Sequence, residues 1–456
     1  MSDSVSLCGV GGRHGALPGA VWRSPPGKRG AFLLARLVAS GGRKLRVRQL
    51  GGDRAGEIRL TRFLRNEAVT CTEMLAEAAE RTAERCVGRH VLAIQDTTVL
   101  RSQGGGGDYL HAVLALDAQD GAILGLIDSQ FLERDGGRRA ARRAAMIEEK
   151  ESFRWLEGAD QAASVCAGAA CVTVIADRES DIFEAFALRP EGAELLVRAA
   201  HDRSLEDGRT LFAIDAAPAA GQAELDLPAK PGRKRRTARM ETRFMAVALA
   251  RPKNGLRAGL PPSVALNLVD IREIDPPPGE AAIHWRLLTT HAVASAAEAW
   301  AVAELYRRRW AIEQMFRTLK TEGFDIEGVR IEEPAPRNRL VTAALIAAVC
   351  IQQLVHARDG GPGPLRPVSD AFEPQDIPLL EACCVQLEGK TQRQKNPHPK
   401  GSLAYAAWVC ARLGGWTGYY GKPGPVVMFA GWLEFQARKR GADLLKHCNQ
   451  ANGHDV

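Results

Sequence analysis

Apolar and polar positions follow two different rhythms along the chain. In AFLLARLVAS (31–40), in EIRLTRFLR (Glu57–Arg65) and from Thr72 to Cys86, apolar residues return every three or four positions, which predicts helices. The Gly-rich, basic stretch GGRKLRVRQLGGD (41–53) reads as a loop or short strand. From His90 the rhythm shortens. HVLAIQDTTVL (His90–Leu100), YLHAVLAL (Tyr109–Leu116) and Ala122–Leu126 are apolar runs parted by Gly and Asp turns, so a meander of three strands is expected. A helix over Met146–Ala167, a buried strand over Val172–Ala176, a helix from about Asp181 and a strand over Leu195–Arg198 follow. That order predicts a mixed α/β sheet.

Between His201 and Glu280 helical periodicity is lost, Gly, Pro and basic residues rise, and FMAVALA and VALNLVDI read as strands. A mostly β subdomain inserted into the α/β unit is expected there. Ala296–Thr321 contains no Gly or Pro and predicts one long helix. The richest apolar run, Leu340–Ile351, is too short to span a bilayer and reads as a buried helix. Residues 358–366 (RDGGPGPLR) form a linker, and helical runs at 402–413 and 428–445 make a third, mainly helical segment.

Composition narrows the class. With 45% apolar and 25% charged residues in 456, the chain reads as a folded protein of two or three domains. The first twenty residues lack a basic start followed by an apolar run, so no secretory signal is expected. The ten cysteines form no CxxC pair, which fits reduced cytoplasmic thiols better than a zinc site or disulfide framework. Secreted, membrane and zinc-ribbon classes are not expected. The net charge of +7 is unevenly spread: residues 1–70 hold 13 Lys/Arg against 4 Asp/Glu, and Lys230–Lys253 holds nine basic residues and one acid. Two separate basic blocks suggest a polyanion partner.

The chemistry begins with three acids. Asp96 is expected to close the first strand and Asp177 the fourth; a carboxylate ending a buried strand is costly unless paired or bound to a cation. On the helix 296–321, Tyr306, Arg309, Trp310, Glu313, Arg317 and Lys320 fall within roughly 100° of arc. One carboxylate among three cations and two aromatics suits a face turned to DNA, with the acid for metal, the cations for phosphate and the rings for bases. Three carboxylates without His or Cys favour Mg2+ or Mn2+, and two such ions can drive phosphodiester displacement.

These residues resemble those of the bacterial cut-and-paste DDE transposases, in the insertion-sequence group marked by a Y-x2-R-x3-E-x6-K signature. YRRRWAIEQMFRTLK supplies Tyr306, Arg309, Glu313 and Lys320 at those spacings, with QDTT at 95–98 and ADRESD at 176–181 carrying the aspartates. FLRN (63–66), LLVR (195–198), IDPPPGEAAIHWRLLTT (274–290) and KGSLAYAAWVCARLGGW (400–416) extend the likeness from about residue 28 to near the C terminus. The resemblance implies a ribonuclease-H-like mixed-sheet core (71–200 and 291–357) interrupted by a β-rich insertion (201–290). Asp96, Asp177 and Glu313 would be catalytic, holding two Mg2+ ions, with Mn2+ able to substitute. It implies that Trp285 stacks on a flipped base near a hairpin, and that Arg198, Tyr306 and Arg309 grip the phosphates around it. Trp310, Arg317 and Lys320 would hold the nearby strand. Residues 28–70 would form a helical domain recognising terminal repeats, with Arg62 and Arg65 as DNA contacts. Residues 367–456 would form a helical dimerisation region, giving a homodimer in a synaptic complex on double-stranded DNA, cytoplasmic and nucleoid-associated. Residues 1–27 match nothing in that pattern and read as disordered or an atypical start. The alternatives are a simple metal-dependent nuclease, or a catalytically silent transposase-derived DNA-binding protein or inhibitor.

Overall fold

The computed structural model describes residues 45–452 except 46, 104–105, 135–145, 228–233, 254–258, 321–322, 361–363 and 420. The expectations for residues 1–27 and for a helix at 31–40 therefore lie outside the described residues. Helices α1 (Val47–Gly51), α2 (Arg54–Leu64) and α3 (Cys71–Cys86) come first. Part of the basic stretch expected as loop or strand is thus helical. Asp53 caps α2 through its side chain, and Thr70 with Glu73 forms a reciprocal capping box on α3.

The meander follows as β1 (His90–Gln103), β2 (Gly106–Asp117) and β3 (Ile123–Arg134), paired antiparallel. Next come α4 (Arg154–Val165), β4 (Cys171–Ala176), α5 (Phe183–Ala187) and β5 (Ala193–Arg198). Helix α4 begins later than its periodicity predicts. Lys150 is extended (φ −89°, ψ 143°), and this splits 147–153 into two short 3-10 turns.

Strands β6 (Gly221–Leu227), β7 (Arg236–Ala250), β8 (Ser263–Ile274) and β9 (His284–Thr289) complete a nine-stranded sheet in the order β3-β2-β1-β4-β5-β9-β8-β7-β6. The β-rich stretch is continuous with the first five strands, because β9 pairs antiparallel with β5 through Leu196–Thr289 and Arg198–Leu287. The sheet is mixed: β1–β4 and β4–β5 are parallel, and the remaining neighbours antiparallel.

The predicted long helix is two. Helix α6 (Ala296–Arg307) ends, and α7 (Trp310–Leu319) begins after a tight turn in which Arg308 N–H bonds Leu305 O (3.1 Å) and Arg309 N–H bonds Tyr306 O (3.0 Å). These are three-residue rather than four-residue bonds. No Gly or Pro causes the break; Arg308 reaches back to Asp120 O at 3.1 Å and Arg309 reaches into a carboxylate cluster.

Helices α8 (Pro334–Ala357), α9 (Ile377–Leu387), α10 (Leu403–Leu413) and α11 (Pro425–Asn452) finish the chain. The apolar run at 340–351 is the middle of α8, which is long and apolar enough to cross a membrane. However, 78% of its most apolar window is buried inside the molecule, so its apolar surface is already covered.

Strand alternation divides the core. Leu92, Ile94, Ile175, Leu196 and Leu287 pack in one layer with α2, α3, α6–α8, α10 and α11, while Val91, Ala93, Val174, Val197 and Leu288 pack in the other with α4 and α5. A side chain's parity along its strand therefore decides which layer it joins.

Candidate active site

Parity places the first acids. Asp96 shares the face of Leu92 and Ile94, and Asp177 the face of Ile175. Arg198 follows Leu196, and Trp285 lies two before Leu287 on antiparallel β9, so all four belong to the layer covered by α6 and α7. Asp177 ends β4 as expected, but Asp96 does not end β1. That strand runs on to Gln103 against β2, and only its parallel pairing with β4 stops, at Ile94–Ile175. Asp96 therefore stands just beyond the last parallel pair, where β4 has given way to a 3-10 turn capped by the Asp177 side chain.

Glu313 comes from the first turn of α7. The three carboxylates gather around Arg309. Its Nη1 donates to Asp96 Oδ2 at 2.8 Å, its Nη2 donates to Glu313 Oε1, and Nη2 lies 4.0 Å from Asp177 Oδ2. Asp96 Oδ1 also accepts from Thr97 N–H (2.8 Å), and Asp177 Oδ1 from Arg178 N–H (2.7 Å). Burial pushes the Asp96 carboxyl up to about 6; Arg309 and the Thr97 amide draw it down, and Asp177 and Glu313 push it further up. The turn carrying Asp177 is anchored by buried Asp181, which accepts from Ala200 N–H and Arg203 Nε, both at 2.7 Å.

Tyr306, at the end of α6, is 5% exposed, with its ring centroid 6.2 Å from that of Trp285. Burial, and then the Asp177 charge, push its hydroxyl up to about 12. It does not share an exposed face with Trp310, which is 52% exposed; the break between α6 and α7 separates them. Arg317 stands over the Trp310 ring, 5.4 Å from its centroid. Lys320 pairs with Glu327 at 2.8 Å, and Arg198 donates to His284 O at 2.9 Å. Arg62 is exposed on α2, and Arg65, just after it, pairs with Glu333 at 2.6 Å. The structure thus brings Asp96, Asp177, Glu313, Arg309, Tyr306 and Trp285 together, while Arg62 and Arg65 lie on and just after α2, which packs against the same core layer.

Sequence spacing gave no sign of a second cluster, Asp215, Asp270 and His284, whose ligand atoms all lie within 4.8 Å of one another. It lies on the opposite face of β9, since His284 and Arg286 alternate with Trp285. Arg272 and Arg286 each donate to Asp215 at 2.6 Å, and His284 meets Asp270 at 2.5 Å. Although burial pushes it up, those guanidiniums hold the Asp215 carboxyl below its ordinary range. Two resident cations oppose a third, so this cluster reads as a structural ion-pair network. The first trio has a different composition: three carboxylates share a single guanidinium, and every donor is oxygen. That set suits a hard divalent ion.

Residues 172–350, less than half of the chain, match the family model of the transposase DDE domain. The span includes Asp177, Arg198, Trp285, Tyr306 and Glu313, and leaves Asp96, Arg62 and Arg65 outside. Together with the mixed sheet, the match supports a likeness to the DDE transposases, a family of enzymes that act on DNA.

Proposed function

We propose that the protein is a cut-and-paste DNA transposase of the insertion-sequence group with the Y-x2-R-x3-E-x6-K signature. It cuts at the inverted-repeat ends of its element, passes through a hairpin at each end, and joins the 3′ ends to target DNA. The observation that carries this reading is the convergence of Asp96, Asp177 and Glu313 around one guanidinium, over the sheet face that also holds Trp285, with Tyr306 beside that ring.

The trio would hold two Mg2+ ions, with Mn2+ able to substitute, and these would supply an activated nucleophile and stabilisation of the leaving oxygen. The chain's own residues do the positioning. Trp285 offers a ring for a flipped base, and Tyr306 beside it sets that ring's place. Arg198 and Arg309 bind phosphates around the flipped nucleotide, with Arg309 exchanging its carboxylate partners for phosphate oxygens. Trp310, with Arg317 over its ring, and Lys320 hold the adjoining strand. Arg62 and Arg65 contact the terminal repeat, and the C-terminal helices join two copies so that each subunit cuts the end bound by the other.

The test is a gel assay on duplex DNA carrying the inverted repeats that flank the gene, with Mg2+ or Mn2+. Wild type is expected to give nicks and hairpins at the repeat ends, while Asp177→Ala and Glu313→Ala give none and retain end binding. Nicks without hairpins or joined product would favour a simple nuclease. Binding with no cleavage in either metal would favour a silent DNA-binding derivative.

A further inference from the structure

Strand alternation sends Thr97 to the side of the sheet opposite Asp96. There its hydroxyl meets the first residue of α4. Arg154 is 4% exposed at its side chain, and each nitrogen of its guanidinium donates. Nε donates to Thr97 Oγ1 (3.1 Å), Nη1 to Glu151 O (2.8 Å) and Oε1 (3.2 Å), and Nη2 to Glu179 Oε2 (2.7 Å). Thr97 directly follows Asp96, and Glu179 lies two residues after Asp177.

The hydrogen bonds behind this contact run in one direction. Having accepted from Arg154, the Thr97 hydroxyl can donate to His111 Nδ1 at 3.0 Å. His111 Nε2 then donates to Gln95 Oε1 (3.1 Å), and Gln95 Nε2 donates to Trp155 O (3.2 Å). His111 is fully buried, and burial holds it neutral, far below its ordinary range. A neutral ring with its proton on Nε2 satisfies every partner in the series. Thr97 is therefore held from both sides.

A tie is needed at this point. Parallel pairing between β1 and β4 ends at Ile94–Ile175, so no β1–β4 ladder bond spans Asp96 and Asp177. Beyond it β1 follows β2, while β4 turns away. We propose that Arg154 is a positioning residue for the carboxylate site, setting the separation of Asp96 and Asp177 by bridging Thr97 to Glu179. The inference rests on the reading of those aspartates as a cation-holding pair.

Charge and position predict opposite signs, which makes the test decisive. Removing a nearby buried cation should by Coulomb attraction alone tighten divalent binding. Removing a clamp should weaken it. Mn2+ titration of the full-length protein, followed by the loss of free-ion EPR signal, is compared for wild type, Arg154→Met, Arg154→Lys and Thr97→Val, with a melting curve for each. All three variants are expected to bind Mn2+ about tenfold or more weakly, the size typical when a residue supporting a metal ligand is removed. Thr97→Ser, which keeps the hydroxyl, is expected to return binding towards wild type. Unchanged or tighter Mn2+ binding in a folded Arg154→Met would overturn the proposal. If that variant does not fold, unchanged binding in Arg154→Lys and Thr97→Val overturns it equally. Wild type and Asp177→Ala binding Mn2+ alike would instead remove the cation-site reading itself.

Discussion

Asp96 carries a cost that its site must offset. Its carboxyl, drawn out of water, is pushed up to about 6, although Arg309 donates to it at 2.8 Å. Without metal, the folded chain therefore holds this proton to a higher pH than the unfolded chain does. The consequence is that stability should fall as pH rises from about 4 through about 6 and level off above that, because the folded state binds more protons across the window. Asp96→Asn lacks this dependence. Its unfolding free energy in EDTA should exceed that of wild type by an amount that grows across the window and is on the order of 2 kcal/mol at neutral pH. Saturating Mg2+ should shrink the difference, since the cation stabilises only the ionised carboxylate. Denaturant unfolding at pH 4.5, 6 and 7.5 checks this, and a pH-independent difference would show that Asp96 titrates normally. Asp96 and Asp177 were legible in the sequence because each follows an apolar run, where a carboxylate is costly unless paired, and because QDTT and ADRESD carry the family resemblance. Arg154 was not, because an arginine opening an amphipathic helix looks like any solvated helical residue.

At the scale of elements, the sequence conveys periodicity well and interruption poorly. Both halves of Ala296–Thr321 have helical spacing, but the turn at Arg308–Arg309 comes from tertiary contacts to Asp120 and the carboxylates, which no local pattern encodes. The same holds for the late start of α4, while α9 lies in the segment expected to be helical, ahead of the two helical runs marked within it. Helix α8 shows how one element organises another. Its buried Arg339 donates to Leu64 O at 2.6 Å and to Val69 O, satisfying carbonyls that the end of α2 and the following turn leave without partners. Arg339→Met should strand those carbonyls at a cost of about 1–3 kcal/mol each. Hydrogen exchange is expected to quicken in residues 47–70 while β1, β4 and β5 keep their protection. Uniform protection across α1 and α2 in the variant would show that their docking rests on apolar packing alone. DNA-end binding should fall with the docking if Arg62 and Arg65 act there.

On the scale of the whole molecule, the β-rich stretch was legible as strands, but its continuity with the sheet was not. The pairing of β9 with β5 joins residues some ninety positions apart, and sequence periodicity is silent about which edge a strand seeks. This long-range closure puts Trp285 on the sheet face that carries Asp96 and Asp177, where it lies beside Tyr306. Arg309 has a further consequence for encounter with nucleic acid. Three bare carboxylates would form a repulsive spot where the proposed reading needs the duplex to land. With a cation among them, the local field is weaker before any metal arrives, and diffusing DNA meets less resistance. Arg309→Ala should slow association with duplex DNA at low ionic strength by a factor of about two to ten, an effect that fades as salt screens the field. Stopped-flow anisotropy would record it, and added Mg2+ should restore the rate if the loss is one of charge rather than of a phosphate contact. The fold would then admit its polyanionic substrate by carrying, among the three carboxylates, a counter-ion built into the chain.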